Sequence, residues 1–229
     1  MTTRTESFVI NEYYHIYNRG NTKQDIFFDD KDRDRFVKLL YLCNSLKRIK
    51  FKEYIVDRKI DAWDFDKGDP IVSIGAWVLM PNHFHIYITP NKENLADNPV
   101  SLFMGKLCTA YSMYFNKKHK RTGKLFEGTF KSSHIDNDRY AKYIFSYIHL
   151  NPVKLIDPFW KDRGLQNIEN TNEFLNKYYW SSYNDYRNKK RSENKIIFPK
   201  DFPDYFVNKK VFDKDIFEWL TFKNSYLES

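Results

Sequence analysis

Residues 81–89 read Pro81-Asn82-His83-Phe84-His85-Ile86-Tyr87-Ile88-Thr89, and their alternation decides how the rest of the chain is read. Phe84, Ile86 and Ile88 fall on one face of a strand, and His83, His85, Tyr87 and Thr89 on the other. Two imidazoles two residues apart on a strand project from the same side, close enough to share one divalent cation. Phe84 between them fastens the strand to a core. The same pair also reads as two locally hydrogen-bonded imidazoles that hold no metal. A third ligand and a reactive partner elsewhere in the chain would separate the two readings.

Working outward, Ile71 to Met80 is a near-continuous apolar run, as expected of a strand covered on both faces, and Pro81-Asn82 turns it into the histidine strand to make a hairpin. Upstream, Glu12 to Arg19 has strand character and stops at Gly20. The acidic Asp29-Asp30-Lys31-Asp32 then opens a helix with Phe36, Leu39, Leu40, Cys43 and Leu46 as its buried stripe. Phe51 to Asp69 reads as an excursion containing a short strand-like piece, Tyr54-Ile55-Val56.

Downstream, Asn98-Pro99 is a helix entry with a capping side chain and a proline at the first position, and Phe103, Leu107, Ala110, Tyr111 and Tyr114 supply the buried stripe. Leu125 to Ile135 reads as one or two strands around Gly128. Asp136 caps a third helix from Asn137 to about Leu150, ended by Pro152. The order strand, helix, hairpin, helix, strand, helix predicts an α+β fold: an antiparallel sheet with helices on one face, over residues 1–155. Residues 156–229 change character. They carry Trp160, Trp180 and Trp219 among many charges, and read as a mostly helical and irregular C-terminal extension, too aromatic to stay solvated.

The composition narrows the function classes. At 229 residues with 41% hydrophobic content, the chain has room for one ordinary domain plus an extension. No apolar run approaches the roughly 20 residues of a spanning helix, and residues 1–10 lack the apolar segment of a secretion signal. Cys43 and Cys108 make neither a disulfide framework nor a metal knuckle, so the expectation is a reduced, cytoplasmic protein without a membrane partner. A net charge of +8 with 18% aromatic residues suits a nucleic-acid partner, because lysine and arginine follow a phosphate backbone while rings stack on unpaired bases. The run from Phe115 to Ser133 concentrates that charge in Lys117, Lys118, Lys120, Arg121, Lys124 and Lys131, against the single acid Glu127. It reads equally as a solvated basic loop.

The third helix carries Tyr143-Ile144-Phe145-Ser146-Tyr147-Ile148-His149-Leu150-Asn151-Pro152. Tyr147 and Asn151 are four apart and lie one above the other on a helix face. A carboxamide oxygen as third metal ligand and a phenol as nucleophile beside the metal would complete the imidazole pair. Packing for Tyr147 and a helix cap for Asn151 is the alternative.

The blocks Tyr-His-Ile-Tyr-Asn-Arg-Gly (14–20), Ala-Trp-Val-Leu-Met-Pro-Asn-His-Phe-His (76–85), Gly-Lys-Leu-Phe-Glu-Gly-Thr-Phe-Lys-Ser (123–132) and Tyr-Ile-His-Leu-Asn-Pro-Val-Lys (147–154) occur in the order seen in single-tyrosine HUH transposases. More closely, the chain resembles the REP-associated tyrosine transposases over about residues 10–155, continuing into Trp180-Ser181-Ser182-Tyr183. The resemblance implies a ferredoxin-like (RRM-like) catalytic domain, one Mg²⁺ or Mn²⁺, and cleavage of single-stranded DNA near a hairpin through a 5′-phosphotyrosine. His83 and His85 match the paired metal ligands and Tyr147 the nucleophile. Asn151 matches the third ligand, which is glutamine in the compact insertion-sequence relatives and asparagine in the REP-associated branch. The excursion at 51–70 and the tail at 156–229 depart from those compact relatives, so their shared-site dimer is not carried over, and a monomer or a homodimer is expected.

Two rival readings stand beside this one. Tyr143 pairs with Tyr147 as in two-tyrosine rolling-circle initiators. In a non-catalytic binding module, Tyr13, Tyr17 and Tyr87 would stack bases on an RRM-like sheet. A zinc enzyme acting on small molecules is weaker, because no carboxylate base or third histidine stands at a recognisable metal-site spacing.

Overall fold

The strand expected around the two histidines forms as β3 (His83–Pro90), and it lies inside a sheet rather than at its rim. In the computed structural model, which describes residues 8–91, 98–204 and 208–221, three further strands are β1 (Tyr13–Arg19), β2 (Val72–Met80) and β4 (Lys131–Ile135). All neighbours are antiparallel and the order is β2-β3-β1-β4. Helix α1 (Asp30–Leu42) links β1 to β2, and α2 (Pro99–Lys118) links β3 to β4. This is the ferredoxin-like α+β arrangement, with the two central strands, β1 and β3, provided by the two helix-flanked halves.

One face of the sheet meets α1 and α2, as the apolar stripes predict. Ile16, Trp77, Phe84, Ile86 and Ile88 are buried against Phe36 and Leu40 of α1 and Phe103, Leu107 and Tyr111 of α2. At about 1.5–3 kcal/mol for each large side chain taken out of water, this layer carries much of the stabilisation. The opposite face is covered differently. Helix α3 (Asp138–Leu150) buries Ile144 and Ile148 in one cluster with Ala76, Val78 and Tyr87, while Phe145 packs on Tyr186 and Phe212. The extension closes around it with α4 (Trp160–Arg163), α5 (Ile168–Lys177), α6 (Tyr183–Tyr186) and α7 (Lys209–Thr221), which bury Trp160, Leu175, Tyr183, Tyr186, Phe212 and Ile216 in the same cluster.

The extension also occupies the outer edge of β2. The Leu79 amide donates to the Trp180 carbonyl at 2.9 Å, and the Ser182 amide to the Trp77 carbonyl at 2.9 Å, so an edge that would otherwise expose unpaired backbone is capped. Gly75, the extra residue of a bulge in β2, is what lets Phe202 lie on the strand: a Cβ there would stand 2.9 Å from its ring. A buried polar link fastens the same region to α3. His149 donates from Nδ1 to the Phe145 carbonyl (2.9 Å), leaving Nε2 to accept the Ser182 hydroxyl (2.8 Å), whose oxygen in turn accepts the Trp77 amide (3.0 Å).

Several local expectations change. Tyr54-Ile55-Val56 is not a strand but part of a wide helical turn, Lys52–Val56, which buries Ile55 against Leu42 and Ala62. Leu46 lies beyond the end of α1 and is exposed. Asn98 precedes Pro99 with φ 50°, and its side chain makes no cap. The cap of α3 is Asn137, whose oxygen accepts the Tyr140 amide at 2.8 Å, so Asp136 does not perform it. Between Leu125 and Ile135, β4 begins only at Lys131; ahead of it Phe126 makes a single bridge to Gly20. No helix among the described residues is long and apolar enough to cross a membrane. The expectation about a secretion signal concerns residues 1–10, of which 1–7 lie outside the described residues.

Burial holds His149 neutral, pushing its pKa down to about 3 by desolvation against the opposing effect of the Phe145 carbonyl. The folded state therefore binds fewer protons than the unfolded chain below pH 6.5, so the stability due to neutral His149 is present above pH 6.5 and drains away toward pH 3. In chemical denaturation, His149→Gln should flatten the loss of stability between pH 6 and pH 4 by about 1.4 kcal/mol per pH unit relative to the wild type. An unchanged slope would show that this imidazole is not held neutral by the fold.

Candidate active site

β3 presents His83 and His85 on the face away from α1 and α2, and strand pairing sets what stands beside them. Arg19 pairs with His83, Tyr17 with His85 and His15 with Tyr87 on β1, while Met80 and Val78 stand opposite the two histidines on β2. The hairpin turn is clasped by the loop after β1: the Gly20 amide donates to the Asn82 carbonyl (2.8 Å) and the Ile26 amide to the Pro81 carbonyl (2.9 Å). Gly20 is sterically required here, since a Cβ would fall 2.0 Å from the Gln24 carbonyl oxygen. The segment before β4 is tied to the same corner by Arg19 and Glu127, paired through two contacts of 2.7 and 2.9 Å, and by the Asn18 amide group on the Gly128 carbonyl (3.2 Å).

α3 then brings Tyr147 over the imidazoles. The ring centroids of His83 and His85 are 5.1 Å apart, and the Tyr147 ring stands edge-on to His85 at 5.3 Å. Tyr17, Arg19, His83, His85, Lys131 and Tyr147 line part of a cleft of about 360 Å³. Asn151 keeps helical geometry at the end of α3 and leads into a tighter turn, Asn151–Leu155. It is buried, close enough to His83 and Tyr147 to favour their charged forms, yet neither atom of its carboxamide has a partner at hydrogen-bonding geometry. By geometry it makes no hydrogen bond, and the polar groups within its reach are those of His83 and Tyr147.

The tautomers follow from the partners. The Asn82 Nδ2 donates to the Lys23 carbonyl (3.1 Å), which turns its oxygen toward His83 Nδ1 at 2.6 Å. That nitrogen must carry the proton, leaving the His83 lone pair on Nε2. His85 meets His15 through Nδ1 at 2.9 Å, and its buried Nε2 has no partner. Desolvation is the main cause that holds these rings neutral: His83 and His15 are each pushed down to about 4, and His85 falls well below its usual range, with the neighbouring His15 and His83 adding to it. Burial raises the Tyr147 phenol, and the Asn151 carboxamide opposes it.

Two cations complete the surroundings. The Lys161 ammonium, from α4, stands 4.4 Å from the centre of the Tyr147 ring and the Lys154 ammonium 5.8 Å. Burial, with Lys154 as a like charge beside it, pushes Lys161 down to about 8. Neither lysine, nor His15, was singled out in the sequence. His15 was findable, because the alternation Tyr13, His15, Tyr17 repeats on β1 the pattern of β3; Lys161 carries no local signal.

Four of the residues singled out in sequence therefore converge: His83, His85, Tyr147 and Asn151. Tyr143 lies one turn up α3, 5.9 Å from Tyr147 and 5.4 Å from Trp219 by ring centroids. The basic run disperses. Lys131 lines the cleft. Lys118 is spent on Asp29 (2.6 Å) and Asp32 (2.7 Å), and Arg121 donates to the Gln24 side chain (2.6 Å). Lys117, Lys120 and Lys124 are exposed. The open stacking platform is absent as well, since Tyr87 is fully buried and Tyr13 packs on Phe202; Tyr17 alone of the three lines the cleft.

Fold and cleft together define a ferredoxin-like α+β protein whose sheet face, under a third helix, gathers two imidazoles, a buried carboxamide and a phenol. Among solved structures, a REP-associated tyrosine transposase bound to a REP hairpin is 13% identical over 89% of this chain and 92% of that one, with a TM-score of 0.49. A Deinococcus radiodurans R1 protein assigned as a transposase is 12% identical over 62% and 92% of the two chains, with a TM-score of 0.34. A bacterial tRNA(His) guanylyltransferase-like protein in complex with ATP is 12% identical over 76% and 74%, with a TM-score of 0.36. No family model and no curated protein matches the sequence. The chemistry of the cleft has to be read from its own residues.

A buried carboxamide without a partner costs about 1–3 kcal/mol, which a chain retains where another use offsets it. In metal-free buffer, Asn151→Leu should raise the free energy of unfolding by about 1–2 kcal/mol in urea titrations. A fall instead would mean that the carboxamide is paired within the folded chain.

Proposed function

We propose that this protein is a metal-dependent enzyme that nicks and rejoins single-stranded DNA near a hairpin, with Tyr147 as the nucleophile and a 5′-phosphotyrosine as its intermediate. The observation that carries the proposal is the meeting of two neutral imidazoles and a phenol in one cleft, with the buried Asn151 carboxamide beside His83 and Tyr147, from β3 and α3 residues more than sixty positions apart in sequence.

The donor set fits a divalent ion. Two imidazole nitrogens and a carboxamide oxygen with no carboxylate suit Mn²⁺ better than Mg²⁺, and leave positions open for DNA and water. No group of three His, Cys, Asp or Glu side chains among the described residues offers a rival site. A bound ion at His83, His85 and Asn151 would polarise a non-bridging oxygen of the scissile phosphate.

The chain's own residues supply the rest. Tyr147 Oη attacks phosphorus in line, the new P–O bond forms as the bond to O3′ breaks, and a free 3′-OH leaves. The phosphodiester energy stays in the tyrosyl linkage, so the 3′-OH can reverse the step without ATP. Lys154 and Lys161 set positive charge beside the ring, the sign that both a phenolate and a phosphate need. Lys131, which lines the cleft, follows the DNA backbone.

Tyr147→Phe should abolish the covalent protein–DNA band formed with labelled single-stranded hairpin DNA and Mn²⁺ on a denaturing gel, while His83→Ala should raise the Mn²⁺ needed for cleavage. Persistence of the band in Tyr147→Phe would move the role to another tyrosine, Tyr143 first. Absence of any band in the wild type, with tight binding indifferent to metal, would favour a non-catalytic binding protein.

The divided fate of the basic run yields a separate expectation. Lys131→Gln should lower the slope of log affinity for single-stranded DNA against log salt by about 0.7, the share of one phosphate contact. Lys118→Gln should leave the slope unchanged, because its ammonium is already held by Asp29 and Asp32. Equal effects of the two substitutions would contradict the placement of the DNA along this cleft.

A further inference from the structure

His15 is the imidazole that the reading of the site leaves without a task. It sits on β1 opposite Tyr87 and reaches diagonally across the pair to His85, with the two rings stacked at 4.9 Å between centroids and 26° between planes. Only 6% of its surface is exposed. Its Nε2 lies 2.9 Å from His85 Nδ1, so it is turned toward the far side of the His85 ring from the unpartnered Nε2. This geometry makes it a poor metal ligand and a good outer partner, a group that acts on a ligand's other nitrogen.

A hydrogen bond between two neutral imidazoles holds one proton with two possible owners. If His15 donates, the proton of His85 sits on Nε2, where it finds no acceptor among the described residues and blocks the lone pair. If His85 donates from Nδ1, its Nε2 lone pair is free, and His15 accepts on Nε2 while carrying its own proton on Nδ1. Asn82 already imposes the same choice on His83 through a carboxamide oxygen that can only accept. The two strand histidines are thereby matched, each gripped at Nδ1.

We infer that His15 is a positioning residue that accepts the Nδ1 proton of His85 and so holds the Nε2 lone pair of His85 available to a divalent metal ion. The inference rests on the metal-site reading given above and adds to it a residue that touches neither metal nor DNA. Outer partners of ligating imidazoles commonly contribute 10–100-fold to metal affinity.

The test uses the full-length protein, Mn²⁺ alone as the probe, and calorimetric titration rather than activity. His15→Phe, which keeps a flat ring but cannot accept, should weaken Mn²⁺ binding roughly 10–100-fold. His15→Gln, whose carbonyl oxygen can accept, should recover most of that loss. In metal-free protein, nitrogen-15 NMR of the imidazoles should find His85 protonated at Nδ1 in the wild type and in His15→Gln, and shifted toward Nε2 protonation in His15→Phe. This readout does not move if His15 merely fills space, and it is informative even if one variant is less stable. Mn²⁺ affinity of the wild-type value in His15→Phe, or a wild-type His85 protonated at Nε2, would overturn the inference while leaving the metal site standing. A wild-type chain that takes up no Mn²⁺ would overturn the site reading itself and this inference with it.

Discussion

Everything at the cleft depends on α3 staying seated on the second face of the sheet. The seat is mainly apolar: Ile144 and Ile148 are buried in one cluster with Ala76, Val78 and Tyr87, and Phe145 packs on Tyr186 and Phe212 of the extension, at about 1.5–3 kcal/mol each. The link through His149, Ser182 and the Trp77 amide adds only about 1 kcal/mol per hydrogen bond in net stability, yet leaving any of its buried groups unpaired would cost more than making the bond gains. Burial thus decides whether α3 docks, and the polar link penalises a docked helix that is out of register. Register matters because Tyr147 has to stand over His85 rather than a turn away.

The same seat gives the extension a structural role. Its strand-like crossing at Trp180 to Ser182 covers the edge of β2, and its helices bury the outer surface of α3. By the same folding event it delivers Lys161 to the Tyr147 ring. Support of the cleft and supply of charge to it are therefore coupled in one segment of the chain, and a change that loosens α4 would reach the phenol without touching β3. The cleft itself carries the marks of a site that trades stability for function: an unpaired carboxamide, imidazoles kept neutral by desolvation, and a lysine held well below its usual range.

Much of this was legible in one dimension, and the limits of that legibility have physical causes. The period of two in residues 83–89 identified both the strand and the face carrying the histidines, because alternation follows from backbone geometry alone. The apolar stripes of α1 and α2 were readable for the same reason. Short elements were not: Tyr54-Ile55-Val56 has strand composition, but it lies in a turn whose shape is set by packing on Leu42 and Ala62. The choice of Asn137 over Asp136 as cap is a matter of one residue, within the range where local preference does not discriminate. The basic run, uniform in sequence, came apart in space because acids from the start of α1 claimed Lys118 while Lys131 was carried by β4 to the cleft.

The sequence by itself determined which side chains share a strand or a helix face: His83 with His85, Tyr147 with Asn151, and the apolar partners that bury each element. Those relations depend on the repeat of a single segment. Only the tertiary structure decided that the imidazole face of β3 meets the phenol face of α3, that His15 grips His85, and that the extension brings Lys161 to the same place. Such meetings depend on strand register and helix docking, which are set by pairings between distant segments; one residue of slip in a strand pairing would turn that strand's side chains to the other face.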